Sequence, residues 1–282
     1  MAMPNDELFA RLEEFYDALP RDGGHPEEFG GLTLFVQDGD GWPFYARPRR
    51  DASGPPSAAD ILAVRQRQRD LGVPEAFEWV HEQSPDLLPV ARSAGLSVLE
   101  APLMVLDPTA LPAPSELSDI PVRIVDPASD DFCTDIAARR AVAAVGFAAA
   151  GTATGDAGPA ERDTARVETT PEALAEELAR AETGRRVTAL AESAADGVLA
   201  SGLAMRVGDA AEIAGVATLP VARRRGLGAA VTGALARRML DDGVDLVFLS
   251  AGSEEIARVY LRTGFRRVGT ACIAEPAAVL AP

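Results

Sequence analysis

Lysine is absent from this chain, so every one of its basic side chains other than the two histidines is an arginine. The absence excludes the nucleotide-binding P-loop, because its G-x-x-x-x-G-K-[ST] sequence requires a lysine beside the phosphates. Histidine is also scarce. His25 and His81 have no partners at the spacing of metal ligands, so we expect no metal site.

Only two cysteines are present, Cys133 and Cys272, and they lie far apart in apolar stretches. We predict that both are reduced thiols in the core, and not a disulfide, metal ligands or a nucleophile. No apolar run reaches the ~18 residues that a membrane-spanning helix needs, so no membrane partner is expected. Residues 1–7 lack the basic and apolar regions of a signal peptide, and we therefore expect a cytoplasmic protein.

The formal net charge of −16 excludes a nucleic-acid partner, since binding of a duplex requires a basic face. Two interpretations of the acidic surface stay open: solubility alone, or attraction of cationic amine substrates. Abundant alanine and glycine, with arginine in place of lysine, indicate a bacterial coding bias. The sequence leaves both a monomer and a homodimer open.

A chain of 282 residues is long enough for two domains. Residues 107–120 are rich in proline and lack periodicity, which is typical of a linker. We therefore predict an N-terminal α/β domain at 1–106 and a second domain at 121–282.

Residues 212–230 carry the most informative pattern of the chain: an apolar strand, a turn with three arginines and two glycines, and an apolar helix. Such a turn binds phosphate, because backbone N–H groups converge there and the helix dipole favours negative charge. The dinucleotide fingerprint G-x-G-x-x-G is excluded, because Val231 stands where its third glycine would lie.

The remaining pattern, Arg223-x-x-Gly226-x-Gly228, resembles the acetyl-CoA-binding motif of the GNAT superfamily of N-acetyltransferases, written Q/R-x-x-G-x-G/A. A second stretch, at 253–265, resembles another signature of the family, with Ala257, Tyr260, Gly264 and Phe265 in place and Ser253 where asparagine is usual. Both lie in the expected order, and the resemblance extends over about residues 121–275.

The resemblance implies a mixed α/β fold with a central, mostly antiparallel sheet flanked by helices. The pattern agrees with it, predicting strands at 121–125, 185–193, 197–207, 210–218, 245–250 and 266–274, and helices at 131–147, 171–183, 227–240 and 253–263. The Gly-rich segment 148–170 falls where the acceptor site of the family usually lies; a disordered surface loop is the alternative.

The family's mode of binding implies that backbone groups of the fourth strand pair with the pantetheine arm and that the turn binds the diphosphate. Acetyl-CoA would thus be a cosubstrate held by Val216, Ala217, Thr218, Arg223, Arg224, Arg225, Gly226, Leu227, Gly228, Ala229, Ser253 and Ala257.

Two residues are candidates for catalysis. The resemblance implies that Tyr260 protonates or hydrogen-bonds the departing sulfur; a packed aromatic side chain is the alternative. Glu212 lies where some family members carry a general base, and strand alternation would put it on one face with Ala214, Val216 and Thr218. A solvated glutamate at the start of the strand is its alternative.

The N-terminal half has a pattern of predicted helices and strands similar to that of the C-terminal half. We predict helices at 7–19, 58–71 and 85–94, strands at 76–80 and 97–106, and a hairpin of 32–37 with 42–47. Residues 30–106 are therefore interpreted as a degenerate half of the same fold, in a tandem arrangement. The paired glycines of the motif are missing there, although an Arg-rich stretch at 65–69 falls near the place where they would lie. We therefore interpret this half as structural or as shaping the acceptor site; a second CoA site is the alternative.

These features predict an acetyl-CoA-dependent N-acetyltransferase that acts on a primary amine, of a small molecule in the first instance, by direct transfer in a ternary complex. Two alternatives stay open: a protein amine as acceptor, or a CoA-binding module that no longer catalyses and serves as a sensor.

Overall fold

The computed structural model describes residues 5–39, 43–165 and 169–277. The chain divides into two compact units, of which the first comprises Met1–Leu103 with Val268–Pro282 and the second Met104–Arg267. The domain boundaries expected from composition stay a prediction, because these units are compact groups within the folded chain and not pieces known to fold separately.

The elements of the described residues follow in chain order. The helices are α1 Asn5–Ala18, α2 Ala58–Leu71, α3 Leu87–Ser93, α4 Pro114–Leu117, α5 Phe132–Ala148, α6 Pro159–Thr164, α7 Pro171–Glu182, α8 Leu227–Asp241 and α9 Glu254–Leu261. The strands are β1 Gly24–Phe29, β2 Leu32–Gln37, β3 Ala46–Pro48, β4 Phe77–Val80, β5 Leu96–Leu106, β6 Val122–Ile124, β7 Arg186–Ser193, β8 Gly197–Val207, β9 Ala210–Thr218, β10 Leu246–Ser250 and β11 Phe265–Pro276.

In the first unit, strands β1, β2 and β3 follow one another in antiparallel order, and β4 lies parallel to β3. The next strand is β11, from the end of the chain, which pairs antiparallel to β4. Large apolar side chains such as Trp79, Phe77 and Ile61 fill the core of this unit together with Cys272.

In the second unit, β6, β7, β8 and β9 form an antiparallel series, and β10 lies parallel to β9. Helices α5 and α8 both contact β8 and β9. Their apolar faces are buried in one core, in which Val142, Val231 and Leu235 are fully buried. Both units are thus mixed α/β structures with mostly antiparallel sheets, and the predicted fold class is confirmed.

Three details differ from the sequence-based expectations. Strand β1 was not predicted, since Gly24–Phe29 contains a proline and no clear alternation. The Pro-rich stretch contains helix α4, and Leu117 of that helix packs so close to Gly233 of α8 that an added Cβ would lie 2.7 Å from its side chain. Cys133 is exposed, because α5 buries the face of Phe132 and Ile136 and turns the next position outward.

The predicted N-terminal hairpin is formed by β2 and β3, which pair antiparallel, but the second strand begins at Ala46. Trp42, predicted to start it, lies outside the described residues. None of the described helices combines the length and the apolar character needed to span a bilayer.

Candidate active site

Strand β9 contains a β-bulge that decides which side chains face which helix. Leu203 of β8 lies opposite Ala214 and Ser201 lies opposite Ala217, so β9 has one residue more than β8 in this interval. Gly215 supplies the extra residue with a φ of 60°, a conformation that glycine adopts without strain. The bulge therefore shifts the alternation of β9 after Ala214.

The predicted common face of Glu212, Ala214, Val216 and Thr218 is therefore wrong beyond Ala214. Ala217 takes the face of Glu212 and lies against α5, where a Cβ added to Gly146 would be 3.0 Å from it. Val216 and Thr218 face α8 instead, at 3.8 and 3.7 Å from the position of a Cβ on Gly228.

Strands β9 and β10 separate soon after they begin. They pair only through Ala210–Glu212 and Leu246–Phe248, although β9 continues to Thr218 and β10 to Ser250. Among the described residues, no strand pairs with this edge of β9 beyond Glu212. We call the opening between the two strands after Glu212 and Phe248 the β9–β10 gap. Its backbone edge is available to a ligand that binds like an added strand.

The gap leads to the N-terminus of α8. Arg224 has a φ of 66° and Gly226 a φ of 78°, while Arg225 between them has a negative φ. Alternation of this kind turns successive N–H groups toward one concave side, a conformation that binds anions. Within the described part of the chain, the N–H groups of residues 224–229 have no acceptor, and no side chain caps the helix.

Charge at this helix start is positive. The first turn of α8 carries no acidic residue, and Arg224 and Arg225 are exposed. Neither forms an ion pair with any residue that the structure describes, in a chain with a formal net charge of −16. Two free guanidinium groups beside an uncapped helix N-terminus favour an anion of high charge density.

The two glycines of the turn have different roles. A Cβ on Gly226 would lie 2.0 Å from the carbonyl oxygen of Leu117, and the positive φ also requires glycine there. A Cβ on Gly228 would make only ordinary contacts, at 3.7 and 3.8 Å. Gly226 is thus needed by the fold, whereas the fold leaves room for a Cβ at Gly228.

Arg223 differs from its two neighbours. Its guanidinium donates to the carbonyl oxygens of Gly146 and Ala149 (both 2.7 Å), Ala153 (3.0 Å) and Thr218 (3.4 Å). The sequence assigned all three arginines to phosphate, but this side chain is directed at four backbone carbonyls. Only Arg224 and Arg225 present unpaired guanidinium groups to the turn.

Tyr260 is buried on α9, and its ring centroid lies 6.2 Å from that of Phe265. Burial raises the pKa of the Tyr260 hydroxyl to about 12. Its hydroxyl has no hydrogen-bond partner among the described residues. The hydroxyl therefore stays protonated and can donate a hydrogen bond to a ligand.

Glu212 is the last residue of β9 that pairs with β10, opposite Phe248, and it therefore lies where the gap begins. The side chain is 8% exposed, which excludes the alternative of a glutamate in water at the strand's start. Its place as general base stays a prediction.

Helix α9 begins directly after β10. Ser253 caps it by accepting a hydrogen bond from the Ile256 N–H at 3.2 Å, as expected for serine in place of asparagine. Ala257 is buried. The contacts of both with a cofactor stay predictions.

Residues 149–165 are ordered by several contacts, so the alternative of a disordered surface loop does not hold for them. Gly155 N–H donates to the carbonyl of Pro220 at 3.2 Å, and Val221 N–H donates to that of Ala157 at 3.0 Å. Helix α6 lies within this stretch, which the sequence did not predict. Residues 166–168 lie outside the described part of the chain.

The first unit has no comparable turn. Residues 65–69 lie in the middle of α2, and the loop between β3 and α2 is residues 49–57. The Arg-rich stretch that was placed near the missing motif therefore lies on a helix face, where it forms ion pairs such as Arg65 with Glu75 and Arg67 with Glu27.

Comparison with known proteins finds a family-model match over the region that contains the candidate site. A family model described as FR47-like protein matches residues 190–273. No curated protein matches the sequence. A solved structure of a GCN5-related N-acetyltransferase from Kribbella flavida is similar at a TM-score of 0.66 and 22% identity, covering 96% of this chain and 97% of that one. A GCN5-related N-acetyltransferase-like protein from Streptococcus suis has a TM-score of 0.53 at 12% identity, covering 96% and 99%. These likenesses confirm the fold that the two motifs implied.

Proposed function

We propose that this chain is an N-acetyltransferase of the GNAT superfamily and that it transfers the acetyl group of acetyl-CoA to a primary amine of a small molecule. The FR47-like match over residues 190–273 and the likeness in fold to a GCN5-related N-acetyltransferase support this proposal. Transfer is direct, within a ternary complex. One observation carries the proposal: the β9–β10 gap ends at an uncapped helix N-terminus beside two unpaired arginines.

The proposed cosubstrate fits these residues by its chemistry. Its diphosphate is an anion for the N–H groups of residues 224–229 and for the guanidinium groups of Arg224 and Arg225. Its pantetheine amides are suited to the open backbone edge at Val216–Thr218. The reactive thioester then lies within the gap.

In the reaction, the amine nitrogen attacks the thioester carbonyl, the C–S bond breaks, and the thiolate takes a proton. Tyr260 supplies that proton or a hydrogen bond, since a hydroxyl whose pKa is raised to about 12 stays protonated at neutral pH. Glu212 accepts the proton of the ammonium group, directly or through water, from its place at the start of the gap. A backbone N–H of β9 stabilises the developing oxyanion.

The first experiment is a calorimetric titration with acetyl-CoA, followed on the same sample by an assay of thiol release across a panel of primary amines. Binding with turnover supports the enzyme and begins to identify the acceptor. Turnover only with a peptide or protein amine would favour the first alternative, and binding without any turnover the sensor. Absence of binding would contradict the proposal.

A further inference from the structure

Residues 149–158 join the two sides of the β9–β10 gap at its open end, and we call them the strap. Strands β9 and β10 are parallel, so their last residues lie at the same end of the sheet. The strap contacts the chain just after β9 on one side and the first turn of α9, just after β10, on the other. It therefore crosses the place where the gap opens.

On the β9 side the strap is held by many bonds. Arg223 donates to the carbonyls of Ala149 and Ala153 within the strap, and also to Gly146 in α5 and Thr218 in β9. Two backbone bonds join Gly155 and Ala157 to the turn after β9. A single guanidinium thus fixes the strap relative to α5 and β9 together.

On the α9 side the strap is held by one side chain. The hydroxyl of Thr152 donates to the carboxylate of Glu255 in the first turn of α9. No other hydrogen bond or ion pair joins residues 149–158 to α9 in the part of the chain that the structure describes. The strap is therefore firmly attached on one side and held by one exchangeable bond on the other.

We propose that Arg223 is a positioning residue for the acceptor and not a ligand of the diphosphate. It holds the strap as the acceptor-facing wall of the gap, and the Thr152–Glu255 bond opens to admit the amine and re-forms to hold the wall against it. The strap consists of small side chains apart from Asp156, and with Glu255 it presents carboxylates and no cation. That wall suits a slender, cationic amine.

This inference rests on the proposed function for its substrate, but its structural part is tested without turnover. Amide hydrogen exchange is measured on the ligand-free protein at Gly155 and Gly158, in wild type, Arg223→Gln, Thr152→Val and Arg225→Gln. Loss of several charged hydrogen bonds should speed exchange in the strap at least about tenfold in Arg223→Gln. Thr152→Val should give a smaller increase, and Arg225→Gln none.

The second arm separates positioning from phosphate binding, with the amine of fastest turnover in the panel as the probe. Arg223→Gln should raise the KM for that amine about tenfold and change the acetyl-CoA Kd by less than about threefold. Arg225→Gln, the matched control, should weaken acetyl-CoA and leave the amine KM unchanged. Thr152→Val should raise the KM for the amine by less than Arg223→Gln does. This substitution leaves the turn before α8 unchanged.

The inference is overturned if Arg223→Gln weakens acetyl-CoA as Arg225→Gln does while strap exchange stays unchanged, or if faster strap exchange leaves the amine KM unaltered in both Arg223→Gln and Thr152→Val. Failure of the proposed function looks different, because wild type itself would then bind no acetyl-CoA or would turn over none of the amines, whereas the hydrogen-exchange arm needs neither. Circular dichroism of each variant identifies one that does not fold, and Thr152→Val then decides.

Discussion

Helix α2 in the first unit follows β3 and helix α8 in the second unit follows β9, and the two helices differ in what accepts hydrogen bonds from the N–H groups of their first turns. At α2, Ser57 accepts a hydrogen bond from the Asp60 N–H, while the Asp60 carboxylate accepts from the N–H groups of Ser57 (2.8 Å) and Gly31 (3.2 Å). At α8, residues 224–229 present their N–H groups with no internal acceptor that the structure describes. At the start of α2, the Asp60 carboxylate accepts hydrogen bonds from backbone N–H groups. At the start of α8, the N–H groups stay available to a ligand.

The difference between the first turns of α2 and α8 is informative because the order of helices and strands around both helices is the same. Three strands, a helix, a strand, a helix and a strand follow one another as β1 to β5 with α2 and α3, and again as β7 to β11 with α8 and α9. The shared order supports the tandem hypothesis, which stays a prediction. The loop before α2 contains Pro55 and Pro56, which have no N–H to donate. We therefore expect one molecule of acetyl-CoA per chain.

The largest effect should follow from filling the space at Gly228. At Gly228 the fold has room for a Cβ, but in Gly228→Val the diphosphate can no longer approach the backbone, and we expect the acetyl-CoA Kd to rise at least about 100-fold. Gly228→Ala is the matched control, because the family motif accepts alanine there. Calorimetry measures both, and retained affinity in the valine variant would refute the diphosphate assignment.

Tyr260→Phe should lower kcat by about 10- to 100-fold and leave the acetyl-CoA Kd nearly unchanged, since it removes a proton donor and keeps the ring. In the first unit, the residue four positions before Gly95, the spacing of Tyr260 from Gly264, is Ala91. Because burial raises the pKa of Tyr260 to about 12, the wild-type rate should show no loss from its ionisation below about pH 11. An unchanged kcat in Tyr260→Phe would disprove the assigned role.

Substitutions of the arginines after β9 and of the arginine after β3 should have different effects on acetyl-CoA affinity. Arg224→Ala and Arg225→Ala should each weaken acetyl-CoA by about 3- to 10-fold, and more at low salt, because an unpaired charge near the diphosphate is lost. Arg49→Ala, after β3, should have no effect on affinity, since Arg49 pairs with Glu28 at 2.8 Å. Titrations at two ionic strengths compare them. Equal losses in all three variants would remove the distinction between the two helix starts.

The smallest effect concerns the stability of α2. Asp60→Ala and Ser57→Ala should each lower the free energy of unfolding by about 1 kcal/mol by removing half of the capping box. Neither should create a second acetyl-CoA site, which calorimetric stoichiometry checks.

The loss in Asp60→Ala should depend on pH. Burial acts to raise the pKa of Asp60, but hydrogen bonds from the N–H groups of Ser57 and Gly31 outweigh it and leave the pKa lowered. A lowered pKa gives stability that is present above the unfolded value of about 3.9 and is lost as the pH falls through the folded value. Thermal unfolding of wild type and variant should thus converge in acid. A constant difference would contradict this origin.

Periodicity predicted most of the fold, because the helices and strands around the site are strongly apolar on one side. The spans of α8 and of the β8–β9 hairpin agree with the structure within one residue at each end, and Gly208-Asp209 is the turn between those two strands. The start of α8 is equally predictable from the sequence, since two glycines and a run of arginines are a local signal.

Three features of the site depend on distant parts of the chain, and no local pattern predicts them. The bulge at Gly215 depends on the register with β8, and it moves Thr218 to the other face. The direction of Arg223 depends on carbonyls at 146–153, about seventy residues earlier in the chain. The need for glycine at 226 depends on Leu117, which lay in the stretch interpreted as a linker.

The pairing of β11 with β4 has a consequence for biosynthesis. Cys272 and Ala274 belong to the buried core of the first unit, and residues 271–274 pair with 77–80. A ribosome makes β4 long before it makes β11, so the first unit waits for the end of the chain before its sheet is complete. A nascent chain stalled after α9 would hold the whole turn of residues 223–229 and still leave the N-terminal core open to chaperones and proteases.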